Sequence, residues 1–383
     1  MRRILPLLLL AAVFSCGKAI DTQKLSALAA EQCLIMEQSL TDGTMPRYFQ
    51  GDSLVTAGLG WWCSGFYPGV CWYTYQLGGD PAIRALALRQ TGKLLDLDKV
   101  SRDHDIGFVM MGSVAKAYEE TGDSLYLNVL KDAAGRLAAR FNPTVGAIRS
   151  WDNPKYTYPV IIDNMMNLEL LTYASGLFDV PEWKEIAIKH ARTTMKNHFR
   201  EDYSTFHLVD YNPEDGSVIR RQTVQGYADD SAWSRGQAWG LYGYTMMYRE
   251  TGEEDFLQQA QSIAEFLLPL SRERAVPAWD YNAPAESIGQ DDASAAAIMA
   301  SALFDLATLA PAPASLTYRL RAQFILEELC KDKYLCKPGE CAGFLLKHST
   351  GNYPGGSEVD VPLTYADYYF MEALCHYAAL QAE

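Results

Sequence analysis

Positions 161–198 read IIDNMMNLELLTYASGLFDVPEWKEIAIKHARTTMKNH. Two helices with opposite surroundings are written in this one stretch. From 162 to 177 the helix is apolar nearly all round, so it must be buried on every side. From 182 to 198 one face is charged, so that helix lies at a surface with a single apolar stripe turned inward. Between them stands Asp179-Val180-Pro181, where Asp and Pro suit a helix start.

The same unit recurs along the chain. Sharp turns stand at Gly78-Gly79-Asp80-Pro81, Thr121-Gly122-Asp123, Thr251-Gly252-Glu253 and Pro311-Ala312-Pro313. Before these turns lie apolar helices such as 105–120, 230–250 and 291–309; after them lie amphipathic ones such as 123–140, 254–270 and 315–331. Helices near 24–40, 66–77, 81–95 and 363–380 bring the set to twelve, alternating outer and inner. That pattern predicts an all-α fold, an (α/α)6 barrel of six inner helices ringed by six outer ones. A helical solenoid has a tighter period than this spacing, which drifts from roughly 45 to 75 residues. Residues 16–383 therefore read as one barrel domain. Five long connections, 41–65, 141–161, 199–229, 271–290 and 332–362, each run from an outer helix to the next inner one. All five must meet at one end of the barrel, and loops of that length in a compact domain are usually functional.

A formal charge of −14 argues against nucleic-acid binding, which needs a basic face. Most of the 23 Tyr and 8 Trp suit a large core, and amphipathic aromatics also suit sugar stacking. Arg2 and Arg3 precede an apolar run from Ile4 to Val13, too short to span a bilayer. The run ends at Val13-Phe14-Ser15-Cys16-Gly17, which resembles a bacterial lipoprotein signal with residues 1–15 removed and lipid on Cys16. The expectation is an exported protein, held to a membrane only through that anchor. Seven further cysteines are too many by one to pair completely. Cys330, Cys336 and Cys341 cluster closely enough for one bridge, but their spacing fits no common zinc pattern. There is no HExxH segment, and no metal or other cofactor is expected.

Acidic residues gather where the long connections enter inner helices: Asp103, Asp105, Asp163, Asp229, Asp230, Asp291 and Asp292. Each taken alone suits helix capping. Asp163 is different, because it follows Val160-Ile161-Ile162 and precedes a strongly apolar helix. A carboxylate there is costly unless paired or protonated. Two carboxyls converging from adjacent inner helices would keep one proton between them, which suits acid/base chemistry near neutral pH. The segment from Gln225 to Gly240 packs Arg235, Trp233, Trp239 and Gln237 into the opening of another inner helix. An arginine among apolar neighbours needs an anionic partner, either a nearby Asp or a ligand.

The segments HDIGF, IDNMMNL, QGYADDSAWSRGQAWGLYGY and DDASAAAI, in this order, resemble the unsaturated glucuronyl hydrolase family, glycoside hydrolase family 88. The resemblance runs from about residue 30 to the end. It implies an (α/α)6 barrel that hydrates the C4–C5 double bond of the unsaturated uronate a lyase leaves at a non-reducing end, releasing that sugar. By motif, Asp163 matches the general acid/base and Asp105 the second carboxylate, which sets the state of Asp163. His207, Gln225, Arg235 and Trp239 match positions that hold the sugar, Trp233 is expected beside them as part of a sugar platform, and loop 348–365 is expected to help recognise the sugar's carboxylate. The partner implied is an unsaturated oligosaccharide, from glycosaminoglycans rather than pectin. Two other readings remain: an unsaturated rhamnogalacturonyl hydrolase acting on pectin fragments, and a non-catalytic glycan-binding lipoprotein.

Overall fold

A computed structural model describes residues 19–284, 286–287 and 290–382. Cys16 and the segment 1–15 lie outside the described residues. Twelve helices account for most of the described chain: α1 (Thr22–Ser39), α2 (Phe66–Gly78), α3 (Pro81–Gly92), α4 (Ile106–Met110, continued through a π turn at Met111–Ala115 into Lys116–Thr121), α5 (Leu125–Ala138), α6 (Asn164–Phe178), α7 (Pro181–His198), α8 (Ser234–Thr251), α9 (Glu254–Glu273), α10 (Ala293–Leu309), α11 (Ala314–Leu329) and α12 (Thr364–Ala382).

Burial follows the two kinds of helix. In α10 every residue from Ala293 to Phe304 is buried, and in α8 every residue from Ser234 to Met247. Helix α9 buries only a stripe that includes Phe256, Ala260, Ile263 and Leu267, spaced three to four residues apart as one helical face requires. The buried helices pack in order: α2 on α4, α4 on α6, α6 on α8, α8 on α10, α10 on α12, and α12 back on α2. The amphipathic helices lie outside them, α3 on α2, α7 on α6, α9 on α8 and α11 on α10. Where α2, α4 and α8 end, Gly79, Gly122 and Gly252 take left-handed backbone, the conformation that lets a helix stop within one residue.

The expectation of an all-α chain needs correcting. Seven short strands form among the described residues, all inside the long connections. Strands β1 (Thr44–Gln50) and β2 (Ser53–Gly58) make a hairpin; β3 (Phe141–Asn142) pairs with β4 (Ala147–Ile148). Strands β5 (Pro159–Ile161), β6 (Leu208–Tyr211) and β7 (Val218–Gln222) form an antiparallel sheet. Their β-branched and aromatic side chains favour this pleated arrangement wherever the chain is not in a helix. The expected helix start at 230 also moves, to Ser234, which leaves Asp229 and Asp230 in a loop. The seven cysteines among the described residues are free thiols, with the Cys336 and Cys341 thiols in contact.

Candidate active site

Four of the long connections meet at one end of the helical ring. They enclose a cavity of about 210 Å³ lined by Trp62, Asp105, Trp151, Ile161, Asp163, Val224, Gln225, Arg235 and Asn352. Drug-sized sites run from about 300 to 1,000 Å³, so this one suits a single sugar ring.

The three-stranded sheet places the central carboxyl. Ile161 pairs with Leu208, and one step further the Ile162 N–H donates to the His207 carbonyl at 3.0 Å. Asp163 follows directly, at the mouth of α6, and His207 stands beside it with Nε2 3.8 Å from Asp163 Oδ2. His207 Nδ1 accepts the backbone N–H groups of Val224 and Gln225, at 3.1 and 3.2 Å. The ring proton is therefore on Nε2, facing the carboxyl. Burial, with Arg235 nearby, pushes the His207 imidazole down to about 3, so it is neutral and a donor.

Asp163 does not cap its helix. Its backbone is helical (φ −58°, ψ −25°) and its carboxyl takes no hydrogen bond from the first turn of α6. Burial pushes it up to about 7, against the pull of Arg235 and the Trp239 indole, which does not reach hydrogen-bond geometry. Asp105 holds the corresponding place at α4, again with helical backbone and no capping bond. Burial first, then the charges of Asp103 and Asp163, push its carboxyl well above the usual carboxylate range. By sequence Asp105 sets the state of Asp163. In the structure burial is the first cause that raises both carboxyls, and at Asp105 the charges of Asp103 and Asp163 add to it.

The other acidic candidates are committed elsewhere. Asp103 Oδ1 accepts the Ser101 hydroxyl and the Asp105 N–H. Asp292 caps α10 through the N–H groups of Ser294 and Ala295 and pairs with Arg235 at 3.1 Å. Asp291 binds Lys333, Arg274 and the Tyr334 hydroxyl. Asp229 accepts the Thr223 N–H, and Asp230 is exposed.

Arg235 is 2% exposed yet reaches the cavity wall. Besides Asp292, it donates to the carbonyls of Thr350 (2.7 Å) and Gly351 (2.5 Å), so it ties down loop 348–365. Gln225 Nε2 reaches the same Gly351 carbonyl at 3.1 Å. Trp233 is buried against His207 (4.4 Å between ring centres) and under the Arg235 guanidinium (4.5 Å). Trp239 is fully buried between Phe108 and Tyr369. The aromatic walls of the cavity are instead Trp62 and Trp151, which sequence reasoning passed over. Both sit in long connections, where no helical period marks them; their place in those connections was the available signal. Asn164 and Asn167 were also missed. Asn164 bridges the Ser150 hydroxyl and the Ile148 carbonyl, and Asn167 binds the Phe108 N–H and His104.

A protein of Formosa agariphila named unsaturated glucuronyl hydrolase is 42% identical to this chain over 318 residues, 82% of this chain and 79% of the relative. The chain belongs to the unsaturated glucuronyl hydrolase family. An unsaturated chondroitin disaccharide hydrolase of Streptococcus pyogenes is 32% identical, over 82% of this chain and 81% of its own length. The crystal structure of an unsaturated glucuronyl hydrolase specific for heparin superposes with a TM-score of 0.90 at 44% identity, covering 94% of this chain and 98% of that one. No family model matches the sequence. As a member of this family the chain is a glycoside hydrolase that acts on unsaturated glucuronyl groups.

Proposed function

We propose that the chain removes the unsaturated uronate from lyase-generated glycosaminoglycan disaccharides, of the chondroitin or heparin type that its relatives' names describe. The observation that carries this reading is Asp163: mostly enclosed, uncapped, with its carboxyl pushed up to about 7, and sharing one cavity with a second raised carboxyl. Protonating the vinyl-ether carbon C4 needs one well-placed acid, and Asp163 supplies it. Water then adds at C5 with Asp163 accepting the proton back, so the acid is regenerated. The hydrated uronate rearranges and its glycosidic bond opens. This differs from ordinary paired-carboxylate hydrolysis, where two groups flank the scissile bond. Asp105 lies against the same space as a second proton-holding group, while Trp62 and Trp151 wall the ring.

The fold we assign is a closed (α/α)6 barrel, supported by the return of α12 onto α2. Export with a lipid on Cys16 is also proposed, on the pattern Val13-Phe14-Ser15-Cys16. An unchanged membrane association of Cys16→Ala in the native host would refute it. For the substrate, purified protein is incubated with lyase-made disaccharides of different linkage and sulfation while the ultraviolet band of the conjugated double bond is followed. Loss of the band with chondroitin or heparin disaccharides supports the reading. Preference for a pectin-derived unsaturated disaccharide points to rhamnogalacturonyl hydrolysis, and binding without loss of the band to a glycan-binding protein.

A further inference from the structure

His104 is a fully buried imidazole in the turn before α4, and the chemistry above gives it no task. Its neighbours fix its tautomer. Asn167 Oδ1 accepts the Phe108 N–H at 2.7 Å, so the opposite end of that side chain is the NH2 group, 3.1 Å from His104 Nδ1. Only an unprotonated Nδ1 accepts such a bond, so the ring proton sits on Nε2. Nε2 in turn lies 3.4 Å from Asp105 Oδ1 and has no hydrogen-bond partner among the described residues.

We infer that His104 is a positioning residue for the Asp105 carboxyl: a neutral Nε2–H donor, locked in one tautomer by Asn167, that anchors Oδ1 and leaves the Asp105 proton to Oδ2. The ring is neutral because burial pushes its pKa down to about 4. The groups that face it are Asp103 on its own turn and Asn164 at the start of α6, which oppose the effect of burial, Arg140 after α5, which adds to it, and His190 on α7. The contact is long for a hydrogen bond, of the sort that tightens when substrate closes a site. His207 repeats the device before Asp163, with Nδ1 filled by two backbone N–H groups and Nε2 turned to the carboxyl. Each carboxyl of the pair thus faces the Nε2–H of a buried neutral histidine.

The test has one arm on the protein alone and one on turnover, and only the second rests on the proposed function. In the 15N-imidazole spectrum at pH 7, assigned by loss of a signal in His104→Gln, His104 is expected as the Nε2–H tautomer. An Nδ1–H tautomer or a cation overturns the inference. Asn167→Asp keeps the acceptor for Phe108 but cannot donate, so the His104 proton should move to Nδ1. On an unsaturated disaccharide, kcat of Asn167→Asp should fall by at least about tenfold with little change in KM and a displaced pH profile. His104→Ala should behave likewise. His104→Gln, whose amide can still donate, should recover part of the loss. Folded His104→Ala with the kcat and pH profile of the parent refutes the inference, whether or not Asn167→Asp folds. If the parent chain does not consume unsaturated disaccharides, the functional reading fails while the tautomer measurement still decides the role of His104.

Discussion

Asp163 and Asp292 stand at the same kind of place, where a long connection enters an inner helix, and they are used in opposite ways. Asp292 has non-helical backbone (φ −121°, ψ 87°), and its carboxyl is spent on two helix N–H groups, Arg235 and the Thr350 N–H. Asp163 has helical backbone, no capping bond, and an Oδ2 without a hydrogen bond among the described residues. A cap stabilises the charged carboxylate by satisfying it. A buried carboxyl that is left unsatisfied keeps its proton instead. The backbone angle of one residue thus separates a structural aspartate from an acid.

Removing Asp292 should show the largest effect. Asp292→Ala deletes a cap and strands the buried Arg235, for a combined loss of about 3–5 kcal/mol in urea unfolding. A loss below about 1 kcal/mol would mean that Arg235 finds another partner. At Asp163 the sign reverses. Asp163→Asn should cut turnover about 10²-fold or more, yet raise the unfolding midpoint at pH 8. Its folded pKa of about 7 lies above the unfolded value of 3.8, so as pH rises between them the wild-type fold loses stability that the amide does not lose.

The same sign governs activity with pH. The acid form of Asp163 is present below about pH 7 and disappears above it, so kcat should fall about tenfold per unit on the alkaline side. A flat profile from pH 6 to 9 would mean that another group donates the proton. The smallest effect is expected at Asp103. Asp103→Asn keeps the acceptor for the Asp105 N–H and removes one of the charges that raise Asp105, so turnover should change little while the Asp105 pKa falls. A severe loss there would move catalytic work onto the turn.

What the sequence made legible was periodicity. Helices such as 162–177 and 182–198 announce themselves by which faces are apolar, and their turns by Gly, Asp and Pro, so the observed boundaries of most helices fall close to those expected. Asp163 could be singled out because its neighbours were apolar, a local signal. The strands could not be, since β3 and β4 have two residues each and no alternation to count. His207 was placed by resemblance alone, because only the pairing of β5 with β6 carries it to Asp163. Trp233 and Trp239 were expected on the sugar, yet both are buried, and Trp62 and Trp151 occupy the walls; sequence shows that a tryptophan is present, not which side of a wall it takes.

Titration of the Asp163 carboxyl itself separates the acid from the cap most directly. In protein labelled with 13C at aspartate carboxyls, the signal absent from Asp163→Asn should titrate with a midpoint near 7. A midpoint near 4, that of an ordinary aspartate, would make Asp163 a charged structural group at neutral pH and place the proton donor elsewhere.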